Sequence, residues 1–186
     1  MGDSTPLAAV DSTGLETRHV SRYFSQRRGC FYSRYPKLSA VIDAGNHLFL
    51  AAVVDRGPTH DQIEFRPVVL RAHRRQPFEA LLGDVAYDSE RNHVFLWEGL
   101  GAVGVFPPTR GQAFGKPIGS IRTYYRHTLA AYWPLAEYGQ RWQVETDFSM
   151  LKRLLGSALR ARTRPSIDRE VLLRVLTINL MILRRP

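Results

Sequence analysis

Residues 138–152 read YGQRWQVETDFSMLK, and the spacing of their side chains predicts an α-helix. At about 100° per residue, four polar residues fall within roughly 60° of one another on one stripe: Tyr138, Arg141, Glu145 and Lys152. A neighbouring stripe has the apolar spacing of a buried face: Val144, Phe148, Leu151 and Leu155. Pro134 and Gly156 are suitable start and stop residues. The stretch therefore predicts a helix that carries a polar stripe beside the protein core.

The polar stripe has two interpretations on helix geometry alone. Arg141 and Glu145 have the i, i+4 spacing of an ordinary surface ion pair, which stabilises a helix by a few tenths of a kcal/mol. The other interpretation is a functional stripe that presents a carboxylate and two cations to a ligand. The helix by itself does not decide between them.

Composition favours a globular protein with a polyanionic partner. The 186 residues suit one domain, and 44% of them are hydrophobic. The formal net charge of +9 favours nucleic acid, and the basic residues are scattered instead of forming one amphipathic helix, which argues against a membrane surface. A basic and aromatic segment at 18–34 suits contact with a phosphate backbone or, alternatively, is a solvated loop.

Cysteine content and hydropathy exclude several classes of protein. The single cysteine, Cys30, rules out an intrachain disulfide and a cysteine-based zinc cluster, and fits a reducing cytoplasm. The longest apolar run, at 171–183, contains Arg174 and is too short to span a bilayer. We therefore expect a soluble protein with no membrane partner.

The remaining sequence alternates between predicted strands and helices. Ala8–Asp11 reads as a short strand ended by the turn residues Ser12–Gly14, and residues 37–54 read as a β-hairpin. A helix follows to about His73, with Asp61 as its N-cap. The later elements are a strand at 80–84, a helix capped by Asp88 or Ser89 and ending near Trp97, a strand at 101–106, and a helix at about 168–183. This order predicts an α/β fold with a mixed sheet flanked by helices.

Three acids occupy positions where a metal site could form. Asp11 and Asp84 each end a short strand, and Glu145 lies on the predicted helix. Ligands gather at the carboxyl ends of strands in α/β sheets, and carboxylates without His or Cys suit Mg²⁺ or Mn²⁺. Two such ions about 4 Å apart can drive phosphodiester cleavage. The structural alternatives are an Asx-turn at Asp11 and a helix-initiating turn at Asp84.

The polar stripe also matches the pattern Y-x2-R-x3-E-x6-K, which resembles that of bacterial insertion-sequence transposases with a DDE catalytic domain. The resemblance continues, in the same order along nearly the whole chain, in AVDSTG at 9–14, HD at 60–61, GDVAYDS at 83–89 and LRAR at 159–162. The four-residue helix motif is specific, whereas the short segments are persuasive only together.

The resemblance implies a fold, a site and a reaction. Asp11, Asp84 and Glu145 would be the catalytic, metal-binding triad of an RNase H-like fold, with two Mg²⁺ or Mn²⁺ ions and no nucleotide cofactor. The DNA-binding residues would be Tyr138, Arg141, Lys152, Arg160 and Arg162. The reaction would be hydrolysis at transposon ends, which frees a 3′-hydroxyl, followed by strand transfer into target DNA. The protein would act as a homodimer on DNA in the bacterial cytoplasm, associated with the nucleoid.

One departure from the family concerns the amino terminus. Members usually carry a region before the first Asp that helps to recognise transposon ends, whereas Asp11 follows only ten residues here. We therefore expect residues 1–186 to form a single RNase H-like DDE catalytic domain without that region. Two alternatives to a transposase remain at this point: a truncated, inactive remnant that only binds DNA, and a nuclease of the same fold that does not transfer strands.

Overall fold

The structure is a computed structural model that describes residues 6–17, 34–107 and 135–184. Its strands are β1 Leu7–Gly14, β2 Tyr35–Asp43, β3 Phe49–Gly57, β4 Ala80–Leu82 and β5 Val103–Val105. Its helices are α1 Gln62–Arg75, α2 Glu90–Leu100, the single turn α3 Leu135–Tyr138, α4 Trp142–Leu155 and α5 Arg164–Leu183. A 3₁₀ turn, Val85–Tyr87, follows β4. The basic segment predicted at 18–34 lies, except for Arg34, outside the described residues.

The described strands form one mixed sheet in the order β3–β2–β1–β4–β5. β2 pairs antiparallel with both β1 and β3, whereas β4 pairs parallel with both β1 and β5. Helices cover both faces, so the predicted mixed sheet flanked by helices is confirmed. Its strand order is compatible with the predicted RNase H-like fold.

Alternation along β1 assigns each of its residues to one face of the sheet. Ala8 and Val10 belong to the core beneath α1 and α2, whereas Ala9 belongs to the core beneath α4 and α5. Successive side chains on a strand point to opposite faces. Asp11 and Thr13 therefore share the face of Ala9 and α4, and Ser12 shares the face of Val10 and α1.

The predicted end of the first strand is wrong. β1 does not stop at Asp11 but continues through Ser12, Thr13 and Gly14, which pair with Ser39, Leu38 and Lys37 of β2. Pairing with a neighbouring strand satisfies the backbone groups of these residues, and this outweighs their preference for turns. As a result Asp11 lies inside a strand, in a region held by regular hydrogen bonds.

The predicted helix around residues 138–152 is confirmed at its carboxyl end and wrong at its amino end. Gly156 follows α4 with a positive φ of 89°, as a stop residue should. However, α3 ends at Tyr138 and α4 begins only at Trp142. Between them the amide of Arg141 donates to the carbonyl of Tyr138 at 3.0 Å, the three-residue spacing of a tight turn. Gly139 lies at this break, and glycine costs a helix about 1 kcal/mol relative to alanine.

The other predicted elements agree with the structure within a few residues. The hairpin is formed by β2 and β3, and α1 runs through Pro67 without ending. Ser89 caps α2 by accepting a hydrogen bond from the amide of Asn92 at 3.3 Å. α5 begins at Arg164, four residues before the predicted start at Asp168. No helix among the described residues is long and apolar enough to cross a membrane.

Candidate active site

Two acids meet at the junction of β1 and β4. Ala9 and Leu82 are in register across this parallel pair, and Asp11 and Asp84 each lie two residues further along the chain. Neighbouring strands lie about 4.8 Å apart. The sheet therefore brings the backbones of the two acids to neighbouring positions, with Asp84 just after β4 ends and Asp11 within β1.

Asp11 is a carboxyl group that resists ionisation. Burial raises its pKa from 3.8 to about 6. The amide of Ser12 donates to Asp11 Oδ1 at 2.7 Å and opposes this rise, as does the positive charge of Arg141. The negative charges of Asp84 and Asp61 reinforce it. A partly buried carboxyl beside other acids favours either a proton or a cation at this position.

Asp84 has a structural function that the sequence also suggested. Its Oδ1 accepts a hydrogen bond from the amide of Ala86 at 2.8 Å and caps the 3₁₀ turn that follows β4. This bond fixes the carboxylate at the end of the strand. A capping role and a ligand role are compatible, because a carboxylate has several lone pairs to offer.

Glu145 lies on α4, which packs on the same face of the sheet as Asp11, and is the ion-pair partner of Arg141. Arg141 Nη2 donates to Glu145 Oε1 at 2.6 Å, and the Glu145 side chain is 55% exposed. The structure therefore contains the i, i+4 pair that was the simpler interpretation of the polar stripe. The positive charge of Arg141 also acts on Asp11, so the guanidinium of this ion pair lies near that acid.

Lys152 and Tyr138 approach the same region from opposite ends of the motif. Lys152 Nζ donates to Thr13 Oγ1 at 2.6 Å, and Thr13 lies two residues beyond Asp11 on the same face of β1. Burial lowers the pKa of the Lys152 ammonium. Burial raises the pKa of the Tyr138 phenol, and the charges of Arg141 and Asp84 act on it in opposite directions.

The arginine run that follows α4 in sequence lies in space beside the residues just after β1. Glu16 bridges in parallel to Ala158, with the amide of Leu159 donating to the Glu16 carbonyl at 2.7 Å. Arg160 and Arg162 follow directly and are exposed. The two arginines therefore lie close to the carboxyl end of the strand that carries Asp11.

A family model described as a transposase DDE domain matches residues 2–180, nearly the whole chain. The chain belongs to the transposase DDE domain family. The resemblance drawn from residues 138–152 is thereby confirmed, and membership supports transposase function in general and an origin in a mobile element. No curated protein sequence matches the chain significantly.

Transposase DDE domains generally use divalent metal ions, and two residues of this chain fit such an ion well. Asp11 and Asp84 carry hard carboxylate oxygens, and a cation would relieve their mutual repulsion, which helps to raise the pKa of Asp11. Within residues 6–17, 34–107 and 135–184, however, no group of three or more His, Cys, Asp or Glu side chains is arranged to hold a metal. To bind a metal ion together with Asp11 and Asp84, Glu145 would have to give up its ion pair with Arg141.

The prediction that Asp61 caps α1 is wrong. Its backbone is already helical and its side chain makes no capping bond. The carboxylate instead accepts hydrogen bonds from the Ser12 hydroxyl and, at 2.8 Å, from Lys37 Nζ. Lys37 also contacts Glu64 at 3.1 Å. The sequence did contain a signal for this cluster. Lys37 lies on the same face of β2 as the buried Val41, and a lysine on a buried face needs an acidic partner.

The DDE domain also contains a buried acid that was not predicted from the sequence. Asp147 on α4 is fully buried, and its Oδ1 lies 3.0 Å from Nδ1 of His47 in the β2–β3 turn. Burial raises the pKa of Asp147 to about 6, and His47 opposes the rise. Asp147 falls between Val144 and Leu151 on the apolar stripe, and an acid at such a position is a recognisable sign of a buried polar contact.

The raised pKa of Asp11 predicts that Asp11→Asn stabilises the metal-free domain at neutral pH. A carboxyl whose pKa rises on folding favours the folded state below its unfolded pKa, and this contribution is lost as pH rises towards about 6. The shift of about two units has a ceiling of about 3 kcal/mol, which partial exposure reduces to about 1–2 kcal/mol.

Urea unfolding of both proteins in EDTA measures this difference. We expect the two proteins to converge in stability as pH falls to about 3, below the unfolded pKa of 3.8, and the variant to be more stable at pH 7.5. Adding Mg²⁺ should then raise the stability of the wild type and not that of the variant. A variant that is less stable than the wild type at pH 7.5 would contradict the electrostatic description of Asp11.

Proposed function

We propose that this chain is the catalytic domain of a transposase that cleaves phosphodiester bonds at transposon ends and transfers the freed strand into target DNA, in a reaction that depends on a divalent metal. Asp11, Asp84 and Glu145 would hold two Mg²⁺ or Mn²⁺ ions. Tyr138, Arg141, Lys152, Arg160 and Arg162 would contact the DNA. The observation that carries the proposal is the placement of Asp11 and Asp84 at neighbouring positions of the paired strands β1 and β4, with the positive charge of Arg141 acting on Asp11.

The proposed chemistry has two steps at phosphorus. In the first, water attacks the phosphorus at the transposon end, the bond from phosphorus to the 3′ oxygen breaks, and that oxygen leaves as a 3′-hydroxyl. In the second, this hydroxyl attacks a target phosphorus, a new phosphodiester forms, and a target 3′ oxygen leaves with a proton. When bound, the divalent ions supply activation of the attacking oxygen and stabilisation of the leaving one.

The cations of the chain would position the DNA for these steps. Arg141 offers a planar guanidinium that can bind a phosphate with two parallel hydrogen bonds. Its present partner is Glu145, so binding of a phosphate by Arg141 would free the Glu145 carboxylate for a metal. Lys152 lies beside Thr13 on the strand of Asp11, where its ammonium would meet a phosphate near the acids. Transfer of Arg141 from Glu145 to a DNA phosphate would thus both bind the DNA and make Glu145 available for catalysis.

A second candidate is a remnant that binds DNA without cleaving it. It is favoured by the Arg141–Glu145 ion pair and by the lack of a three-acid group among the residues that the structure describes. A nuclease of the same fold, which would perform only the first step, is the third possibility. These functions differ in their products and can therefore be separated by one assay.

The test uses the full chain, supercoiled plasmid that carries the ends of its element, and a labelled target duplex. The transposase proposal predicts nicks at the ends in Mg²⁺ or Mn²⁺, none in EDTA, and label joined to plasmid. Nicks without joined product would indicate the nuclease, and retention of DNA on a gel without nicks in either metal would indicate the remnant. Sedimentation of the complex would show whether it contains the homodimer that we also propose on DNA.

A further inference from the structure

We propose that Lys37, Asp61 and Ser12 form a chain of hydrogen bonds that positions Asp11 from the opposite face of the sheet. The inference rests on the proposed function, because it assigns the three residues to the support of a metal ligand. None of them would contact metal or DNA. They are positioning residues whose effect passes through the backbone of β1.

The chain of hydrogen bonds starts at a buried ammonium. The Lys37 side chain is only 4% exposed, and its Nζ lies 2.8 Å from Asp61 Oδ1 and 3.1 Å from Glu64 Oε2. The same ammonium donates to the carbonyl of Thr59 at 2.9 Å. Several oxygens from the segment 59–64 therefore surround one cation, which fixes Asp61 against β2.

Ser12 connects this cluster to Asp11. Its hydroxyl donates to Asp61 Oδ1, and its amide donates to Asp11 Oδ1 at 2.7 Å. The two bonds leave Ser12 on different sides of β1, since Ser12 faces α1 while Asp11 faces α4. One residue is thus held by Asp61 on one side of the sheet and holds the Asp11 carboxylate on the other.

The side-chain contacts of Asp61 favour a positioning role for its hydrogen bond with Ser12 over a purely local role in starting α1. An aspartate in front of a helix commonly caps it, with a gain of about 1 kcal/mol. Asp61 makes no such bond and directs its carboxylate to Ser12 and Lys37, although its negative charge raises the pKa of Asp11. Lys37 neutralises much of that charge, which leaves a rigid acceptor for Ser12 close to the metal ligand.

A matched pair of serines allows a test. Ser12 and Ser39 are in register on neighbouring strands and therefore share a face, and Ser39 is buried. The Ser39 hydroxyl has no hydrogen-bond partner among the described residues. Ser12→Ala removes a bond of the proposed chain, whereas Ser39→Ala removes a buried hydroxyl without one. Both variants make the same chemical change in the same layer of the protein.

The measurements are Mn²⁺ affinity by calorimetry and the nicking kinetics of the full chain. Loss of a group that orients a metal ligand typically costs about 10–100-fold in affinity or activity. We expect Ser12→Ala to weaken Mn²⁺ binding about tenfold and to lower kcat with little change in KM for DNA. Ser39→Ala should remain within about twofold of the wild type in both.

A double-mutant cycle with Asp61→Ala tests whether the two residues act through each other. If they form one chain, Ser12→Ala should add little further loss of Mn²⁺ affinity in the Asp61→Ala background. Losses that multiply would overturn the proposal, as would unchanged Mn²⁺ affinity in Ser12→Ala. Asp11→Asn separates the two levels of inference. If Asp11→Asn binds Mn²⁺ as the wild type does, the proposed function itself fails. If Asp11→Asn loses Mn²⁺ binding while Ser12→Ala retains it, only the proposed positioning role of the hydrogen-bond chain fails.

Discussion

Glu145→Gln is expected to lower the rate of Mg²⁺-dependent DNA nicking by more than about 100-fold, which is beyond the range for residues that only support a ligand. The amide is nearly the same size as the carboxylate but lacks the charge that a hard divalent ion requires. DNA binding should change by only a few-fold, because the substitution removes an acid and leaves Arg141 and Lys152 in place.

The control for this prediction is Glu137→Gln. Glu137 lies on α3, is exposed, and has no place in the proposed site. It undergoes the same change of charge eight residues before Glu145, so it reports any general effect of charge on DNA binding. Its nicking rate should equal that of the wild type.

The ion-pair interpretation makes the opposite prediction for Glu145→Gln. If pairing with Arg141 is the whole role of Glu145, the variant should lose only a few tenths of a kcal/mol of stability and should nick like the wild type. That result would remove Glu145 from the triad. Full nicking by Asp11→Asn as well would remove the metal site.

The sequence was most informative where one local pattern determined one element. Val144, Phe148 and Leu151 predicted the buried face of α4, and all three are buried. The hairpin was likewise predicted from two strand-like runs and the turn residues between them. The extension of β1 through Ser12–Gly14 was missed, since it depends on pairing with β2, and no pattern within β1 itself records that partner.

In the candidate site, too, some features could be predicted from local sequence and others could not. Asp11 and Asp84 were predicted to meet because each was placed at a strand end. They do occupy neighbouring positions because β1 and β4 are parallel and in register, although Asp11 lies inside β1 and not at its end. The bonds of Asp61 did not follow, because a single aspartate before a helix suits a cap as well as a distant ion pair. Lys37 decides between these, and its contact with Asp61 joins segments that are far apart in sequence.

The second large effect is expected from Lys37→Met, which should destabilise the domain by about 3–5 kcal/mol at pH 7.5. Lys37 and Glu64 are each 4% exposed, so removing the ammonium leaves the Glu64 carboxylate in the protein interior without its cation. The methionine fills most of the lysine volume, and the loss therefore reports charge more than packing. Urea unfolding of the metal-free protein measures it.

Arg56→Met is the matched control, since Arg56 is an exposed cation on the neighbouring strand β3. A surface substitution of this kind typically changes stability by less than about 0.5 kcal/mol. A similar small loss in Lys37→Met would show that the ammonium contributes little to the fold. The double variant Lys37→Met with Glu64→Gln should recover part of the loss, because it removes the stranded charge.

The loss in Lys37→Met should also depend on pH in a defined direction. Burial and the neighbouring Asp55 raise the pKa of Glu64, and Lys37 holds that pKa down. Without Lys37 the pKa rises further, and a group with a raised folded pKa favours the folded state below its unfolded pKa and loses that contribution as pH rises. The variant should therefore approach the wild type in stability as pH falls from 7.5 towards 4.5, when Glu64 takes up a proton. A loss that stays constant over this range would mean that the stranded Glu64 carboxylate is not its cause.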